Sequence, residues 1–321
     1  MAQMSLYLFV SGGLSLLFAV FFHVAYTTML AQRGGVAALR LSPARLAGVT
    51  AGGTATMSFG GGATDRWTGQ TAAVGSLALI GTWVGWVLLA LSLITRAIIV
   101  GRGPWGSMFE FSVAFAFGIT SGYLYLQRRY PIRALGFIPT GVASFLLLYA
   151  FSLLLVLSVP GSTTVATFEP LVPALANAPL LTVHVAMAMI SYGIFSVSFA
   201  AAVGYLIQGN ADRFAWLPPR KTLDEVAYRS VIIGFPVFAT MIILGSYWAS
   251  IAWGAYWSWD PKETSALVTW LIYAVYLHAR NARGWAGRPA ALILVVGFAA
   301  IMFTFFGNLF FNGLHAYSGL S

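Results

Sequence analysis

Trp253-Gly254-Ala255-Tyr256-Trp257-Ser258-Trp259-Asp260-Pro261-Lys262-Glu263 sets three tryptophans and a tyrosine within seven residues. A helix that merely crosses a bilayer has no use for that density of indole. A surface that holds a large flat aromatic ligand does. An aromatic belt would scatter its tryptophans. Here Trp253, Trp257 and Trp259 are clustered, with Trp248 and Trp270 nearby. The chain also has four histidines, His23, His184, His278 and His315, and no cysteine. Disulfides, thiolate metal sites and a thiol nucleophile are therefore excluded within it, and any thiol chemistry belongs to a partner. Neutral imidazole is an axial ligand for haem iron, whose redox behaviour follows the ligand. Two histidines on opposite faces of a porphyrin, with aromatic rings against the macrocycle, would make a bis-histidine haem site.

Plainer readings stand beside these. A lone intramembrane histidine usually bonds a neighbouring helix or sits at the headgroup level, and for His23 taken alone that is the stronger reading. Ionisable groups in a bilayer are costly, which keeps a functional role open. Asp260-Pro261-Lys262-Glu263 has the form of a helix start, with Asp at the N-cap, Pro at the first helical position and Glu three residues after the cap. Lys262 would face an anionic group such as a propionate. Arg102-Gly103-Pro104-Trp105-Gly106-Ser107 leads into Met108-Phe109-Glu110-Phe111. Ser107 and Glu110 have capping-box spacing, so Glu110 divides evenly between a cap and a ligand-facing role.

These residues need a scaffold, and composition says which kind. Charged residues make up 8% of the chain and hydrophobic ones 59%, against about 25% charged in a soluble domain. Mean hydropathy is +0.83. The fold class expected is all-α, a polytopic integral membrane helix bundle. Spans of about 20 apolar residues are expected at 5–29, 74–100, 108–127, 134–158, 180–207, 229–250, 262–280 and 290–312. The third, short and rich in Gly and Ser, is the weakest. The first lacks a basic n-region and an Ala-x-Ala site, and is expected to be retained rather than cleaved.

Charge then sets the sidedness. Four connections hold 14 of the 17 basic residues and alternate with non-basic ones. The net charge of +9 therefore tracks membrane orientation rather than nucleic acid. Both termini and the tryptophan loop are expected outside the cytoplasm. His184 enters with the fifth span and His315 follows the eighth, so the two can flank that loop. His278 lies 18 residues after Asp260, roughly 27 Å further in. His23 falls in the inner half of the first span. Residues 1–100 are read as two spans with a flexible cytoplasmic loop (30–73), whose glycines lack the Gly-Lys-Ser/Thr ending of a phosphate loop. Residues 101–321 form the ligand-handling core, with its outer loop at 251–263. No fixed-period repeat is present.

These segments resemble the CcsA/ResC type of system II cytochrome c biogenesis, a haem-handling family marked by a tryptophan-rich WWD signature. The tryptophan loop with Asp260-Pro261-Lys262-Glu263-Thr264 is similar to that signature. Arg102 to Phe111, His184 before Ser191-Tyr192, and Leu223-Asp224-Glu225 before Tyr228-Arg229 also fit. So do Tyr276-Leu277-His278-Ala279-Arg280 before Arg283-Gly284-Trp285, and Gly313-Leu314-His315-Ala316-Tyr317. The likeness runs from about residue 100 to the C-terminus, and the first hundred residues match only in general character. It implies that haem b is held by Trp253, Trp257, Trp259, Asp260 and Trp105, with His184 and His315 as axial ligands. His278 would belong to an inner site whose other histidine comes from a CcsB/ResB-type membrane subunit, and His23 is not carried over. Haem vinyl groups would be joined to the thiols of Cys-x-x-Cys-His in apocytochrome c, kept reduced by separate thiol-reducing proteins. The implied setting is a bacterial cytoplasmic membrane, and the chain would be a subunit of a haem-attachment complex, synthase or lyase. Two alternatives stay open: a haem exporter or chaperone without a synthase role, and a redox subunit with permanent haem b. A small-solute transporter is disfavoured by the missing repeat.

Overall fold

The computed structural model describes residues 2–40, 61–156, 178–209, 212–307, 310–311 and 313–315, and among them every regular element is helical. The helices are α1 (Ala2–Arg40), α2 (Gly61–Val100), α3 (Met108–Leu126), α4 (Phe137–Val156), α5 (Ala178–Gln208), α6 (Arg220–Ala252), α7 (Pro261–Arg283) and α8 (Arg288–Phe306). A single 3-10 turn, Arg133–Leu135, precedes α4. All of these except α7 are long and apolar enough to cross a membrane. At 23 residues, α7 extends about 34 Å and also exceeds a ~30 Å hydrocarbon core; Lys262, Glu263, Arg280 and Arg283 at its two ends lower its hydropathy. The protein is a multi-span membrane protein, as its composition requires. Its lipid-facing band includes Phe21, Ile80, Ile98, Phe145, Leu155 and Ile243, all exposed.

The helix ends differ from those read off hydropathy. α1 continues to Arg40 and α2 begins at Gly61, both inside the stretch expected as loop; residues 41–60 lie outside the described residues. α6 begins at Arg220 rather than 229, with Pro219 as its N-cap. Hydropathy finds only the part of a helix that needs a bilayer, and polar first turns are invisible to it.

The third span, expected to be weakest, is the most enclosed. Its hydropathy window is 78% buried inside the protein. α3 packs against α2, α4 and α5, and α5 in turn against α6 and α8. A helix walled by others meets little lipid, so nothing requires it to be uniformly apolar. Small residues let its backbone approach α5 closely. A Cβ on Gly118 would stand 2.5 Å from Met189 O, and one on Gly122 would stand 2.5 Å from Gly193 O.

Candidate functional site

At one end of the bundle four stretches meet: the 101–107 turn before α3, the start of α5, the 253–260 loop between α6 and α7, and the residues after α8. Together they wall one cavity. Its lining includes Trp105, His184, Trp248, Trp253, Trp257, Lys262 and His315. The space between its walls is about 1040 Å³ counted out to the mouth, of which about 120 Å³ accepts water-sized spheres. Little of that space is wider than a water molecule, so the cavity is narrow and is called the slit below.

The loop is fixed from both sides. Trp253 closes α6, its N–H donating to Ala249 O at 2.8 Å, and Gly254 turns the chain at φ +78°. Ser246 Oγ donates to Tyr256 O at 2.7 Å. Asp260 caps α7 by accepting from Lys262 N–H at 3.1 Å. Glu263 Oε2 reaches back to Ser258 N–H at 2.9 Å and Asp260 N–H at 3.3 Å. This is the capping box expected from Asp260-Pro261-Lys262-Glu263. Trp259, between these ties, is held at φ +58°, a left-handed conformation that a bulky aromatic residue rarely adopts. Trp259 is 69% exposed and is not part of the cavity lining.

The two cavity histidines are each held by one ring nitrogen. His184 Nδ1 lies 2.8 Å from Met241 O. A carbonyl only accepts, so Nδ1 carries the proton and Nε2 carries the lone pair. Gly245 makes the approach possible: a Cβ there would fall 2.6 Å from His184 Cε1. His315, in the same lining, has Nδ1 2.7 Å from Asp260 Oδ1, which again leaves the lone pair on Nε2. Burial holds the His315 imidazole below the ordinary histidine range, against the upward pull of the Asp260 hydrogen bond; the neutral ring is the form that can ligate iron. Burial alone would raise the Asp260 carboxyl, but hydrogen bonds from His315 and Lys262 N–H outweigh it and hold it below the usual range. The His315 ring stands edge-on to Trp253, centroids 4.8 Å apart, and Trp248 meets Trp253 at 4.7 Å. Lys262 Nζ lies 4.9 Å from the centre of the Phe111 ring.

Six of the eleven residues singled out from sequence line this cavity: His184, His315, Trp105, Trp253, Trp257 and Lys262. Asp260 stands behind His315. Glu110 is turned away, its carboxylate taken by Arg96 Nε at 2.5 Å, Arg102 Nη1 at 3.1 Å and Gly106 N–H at 2.7 Å. Half of the expected cap is present, since Ser107 Oγ accepts the Glu110 N–H at 3.3 Å, but the carboxylate reaches Gly106 N–H instead of Ser107 N–H and lies outside the cavity lining. His23 is wholly buried elsewhere, with Nε2 3.3 Å from Thr82 Oγ1 and its ring edge-on to Tyr123. No room for a macrocycle exists there: a Cβ on Gly136 would already stand 2.5 Å from His23 Nδ1. His278 is exposed on α7, on the same outward stripe as Leu271 and Val275. Sequence reading left out Gly245 and Met241, and named Trp248 only as a tryptophan near the loop. Only Trp248 left a signal, since it lies one helical turn before the tryptophan loop.

Residues 105–315 match the family described as Cytochrome C assembly protein. The chain is 32% identical over 293 residues to the cytochrome c biogenesis protein CcsA of Microcystis aeruginosa, covering 75% of this chain and 87% of that protein. It is 33% identical over 258 residues to that of Guillardia theta, covering 73% and 83%. The fold also resembles a solved structure titled cytochrome c heme lyase CcmF, with a TM-score of 0.57 and 15% identity over 93% of this chain and 46% of the other. The matched segment begins at Trp105 and ends at His315, both of which line the slit; the chain belongs to the cytochrome c assembly family and is a CcsA-type cytochrome c biogenesis protein.

Proposed function

We propose that the slit holds haem b between His184 and His315 on the extracytoplasmic face. There it is presented for attachment to the Cys-x-x-Cys-His thiols of apocytochrome c. The single observation that carries this reading is one cavity lined by two histidines, each fixed through Nδ1 so that Nε2 bears the lone pair. Haem would supply the iron and the vinyl groups that accept the acceptor's thiols. The chain's own residues bind and orient. Trp253, Trp257, Trp248 and Trp105 give aromatic faces to a flat ring. Lys262, half-buried in the wall, offers a cation to a propionate. The histidines hold the iron while the thiols, which this chain lacks, approach from the partner protein.

His278 supports a division of labour. An imidazole exposed among apolar side chains on a membrane helix has its natural second half on another chain, and we assign that half to a CcsB/ResB-type subunit. The setting would be a bacterial cytoplasmic membrane, with both termini outside and residues 101–321 acting as the haem-handling core. A redox subunit with haem between His23 and His278 is not favoured, since His23 is enclosed.

Protein purified in detergent is expected to carry a bis-histidine absorption spectrum. His184→Ala and His315→Ala are each expected to retain at least about tenfold less haem, and free imidazole is expected to restore the spectrum. Haem content unchanged in both variants would end the ligand assignment. Gly245→Ala should mimic His184→Ala in direction, because the added methyl drives the imidazole off Met241 O. Imidazole should restore that variant as well. Gly141→Ala, on α4 with open space around it, should leave haem content at the wild-type level.

A further inference from the structure

We infer that Asp260 is a positioning residue for His315, and that its negative charge, beyond its capping role, sets how strongly that imidazole donates to iron. The inference rests on the reading of His184 and His315 as axial ligands. Capping does not call for the charge. Serine, threonine or asparagine cap a helix about as well as aspartate, and caps commonly sit in solvent. Asp260 is instead 5% exposed, and a buried carboxylate is costly unless it is paired. Oδ1 accepts both the Lys262 N–H at 3.1 Å and the His315 Nδ1–H at 2.7 Å. A hydrogen bond from the His315 backbone N–H also lowers the pKa of the carboxyl, so two groups of His315 bear on it. A carboxylate kept in that state serves the partner that gains from an anion, and that partner is the imidazole.

An anionic acceptor on Nδ1–H fixes the tautomer and raises the basicity of Nε2. The other histidine has no such support, since His184 donates to the neutral Met241 carbonyl. The two ligands facing one slit are therefore unequal, and His315 is the stronger donor. The same carboxylate ties His315 to the tryptophan loop, because Asp260 is where that loop ends and α7 begins. Gly313 completes the contact. Any side chain there would run into Asp260 Oδ2, so the residues before His315 close directly over the carboxylate.

The test uses the full-length protein purified with its haem. Asp260→Asn keeps an acceptor for the cap and for Nδ1–H but removes the charge. It is expected to melt at the wild-type temperature and to show a bis-histidine spectrum. Its haem reduction potential is expected to be more positive and its haem loss faster. Asp260→Ala is expected to retain haem 10- to 100-fold less well, with imidazole restoring the spectrum. Gly313→Ala, which displaces the carboxylate without changing it, should shift the potential in the same direction as Asp260→Asn. A wild-type potential in both Asp260→Asn and Gly313→Ala would overturn the inference and leave Asp260 as a cap alone. Full haem retention by His184→Ala and His315→Ala would remove the underlying reading, and this inference with it.

Discussion

Gly193→Leu is expected to leave almost no folded protein to purify. Gly193 sits where α5 crosses α3, and a Cβ built there would overlap Gly118 O, a backbone atom that cannot rotate away. Gly118 and Gly122 press back against Met189 O and Gly193 O at 2.5 Å from where their own Cβ atoms would stand. The two helices therefore touch through bare backbone over a full turn. Overpacking in a core costs about 1–3 kcal/mol when side chains can shift. Here α3 is also held by α2 and α4, so the whole interface must open, and about 4 kcal/mol or more is expected for leucine. Gly193→Ala should show a smaller drop in detergent melting temperature, and Gly141→Ala on α4 none. Equal yields and melting temperatures for Gly193→Leu and wild type would show that α3 and α5 are not the bundle's centre.

That interface also shows where sequence reading reaches its limit. Eight helices were legible because lipid demands continuous apolar runs. The third span reads as a weak apolar run, and its place at the centre is not legible, because a helix surrounded by protein escapes that demand. The tryptophan loop and its capping box were legible because both are local, spanning eleven adjacent residues. The contacts that organise the site are not. Asp260 and His315 are 55 residues apart, and His184 and Met241 are 57 apart. Topology allowed the outer histidines to meet but could not show what holds their Nδ1 atoms. Gly245 is the sharpest case. In sequence it is one glycine in an apolar span; in the fold its missing Cβ is the space in which His184 reaches a helix carbonyl.

Glu110→Ala is expected to destabilise the protein by about 3–5 kcal/mol, the range for breaking a buried ion pair from one side. Glu110 is 1% exposed, and it gathers Arg96, Arg102 and the Gly106 N–H on one carboxylate. Arg102 also donates to Gly103 O at 2.9 Å, so the 101–107 turn is folded around its guanidinium. That turn carries Trp105, whose Nε1–H donates to Thr182 Oγ1 at 3.4 Å and whose ring walls the slit. Removing the carboxylate strips two half-buried cations of a shared acceptor and releases the turn, so haem retention should fall along with the melting temperature. Glu110→Gln keeps an acceptor for Gly106 N–H without the charge and should fall between alanine and wild type. Adding Arg102→Met to Glu110→Ala should recover part of the loss, since one half-buried cation without its counter-charge is then gone. A double variant no more stable than Glu110→Ala would mean that Arg102 finds another anion or water, and that the carboxylate holds the turn through Arg96 and Gly106 alone.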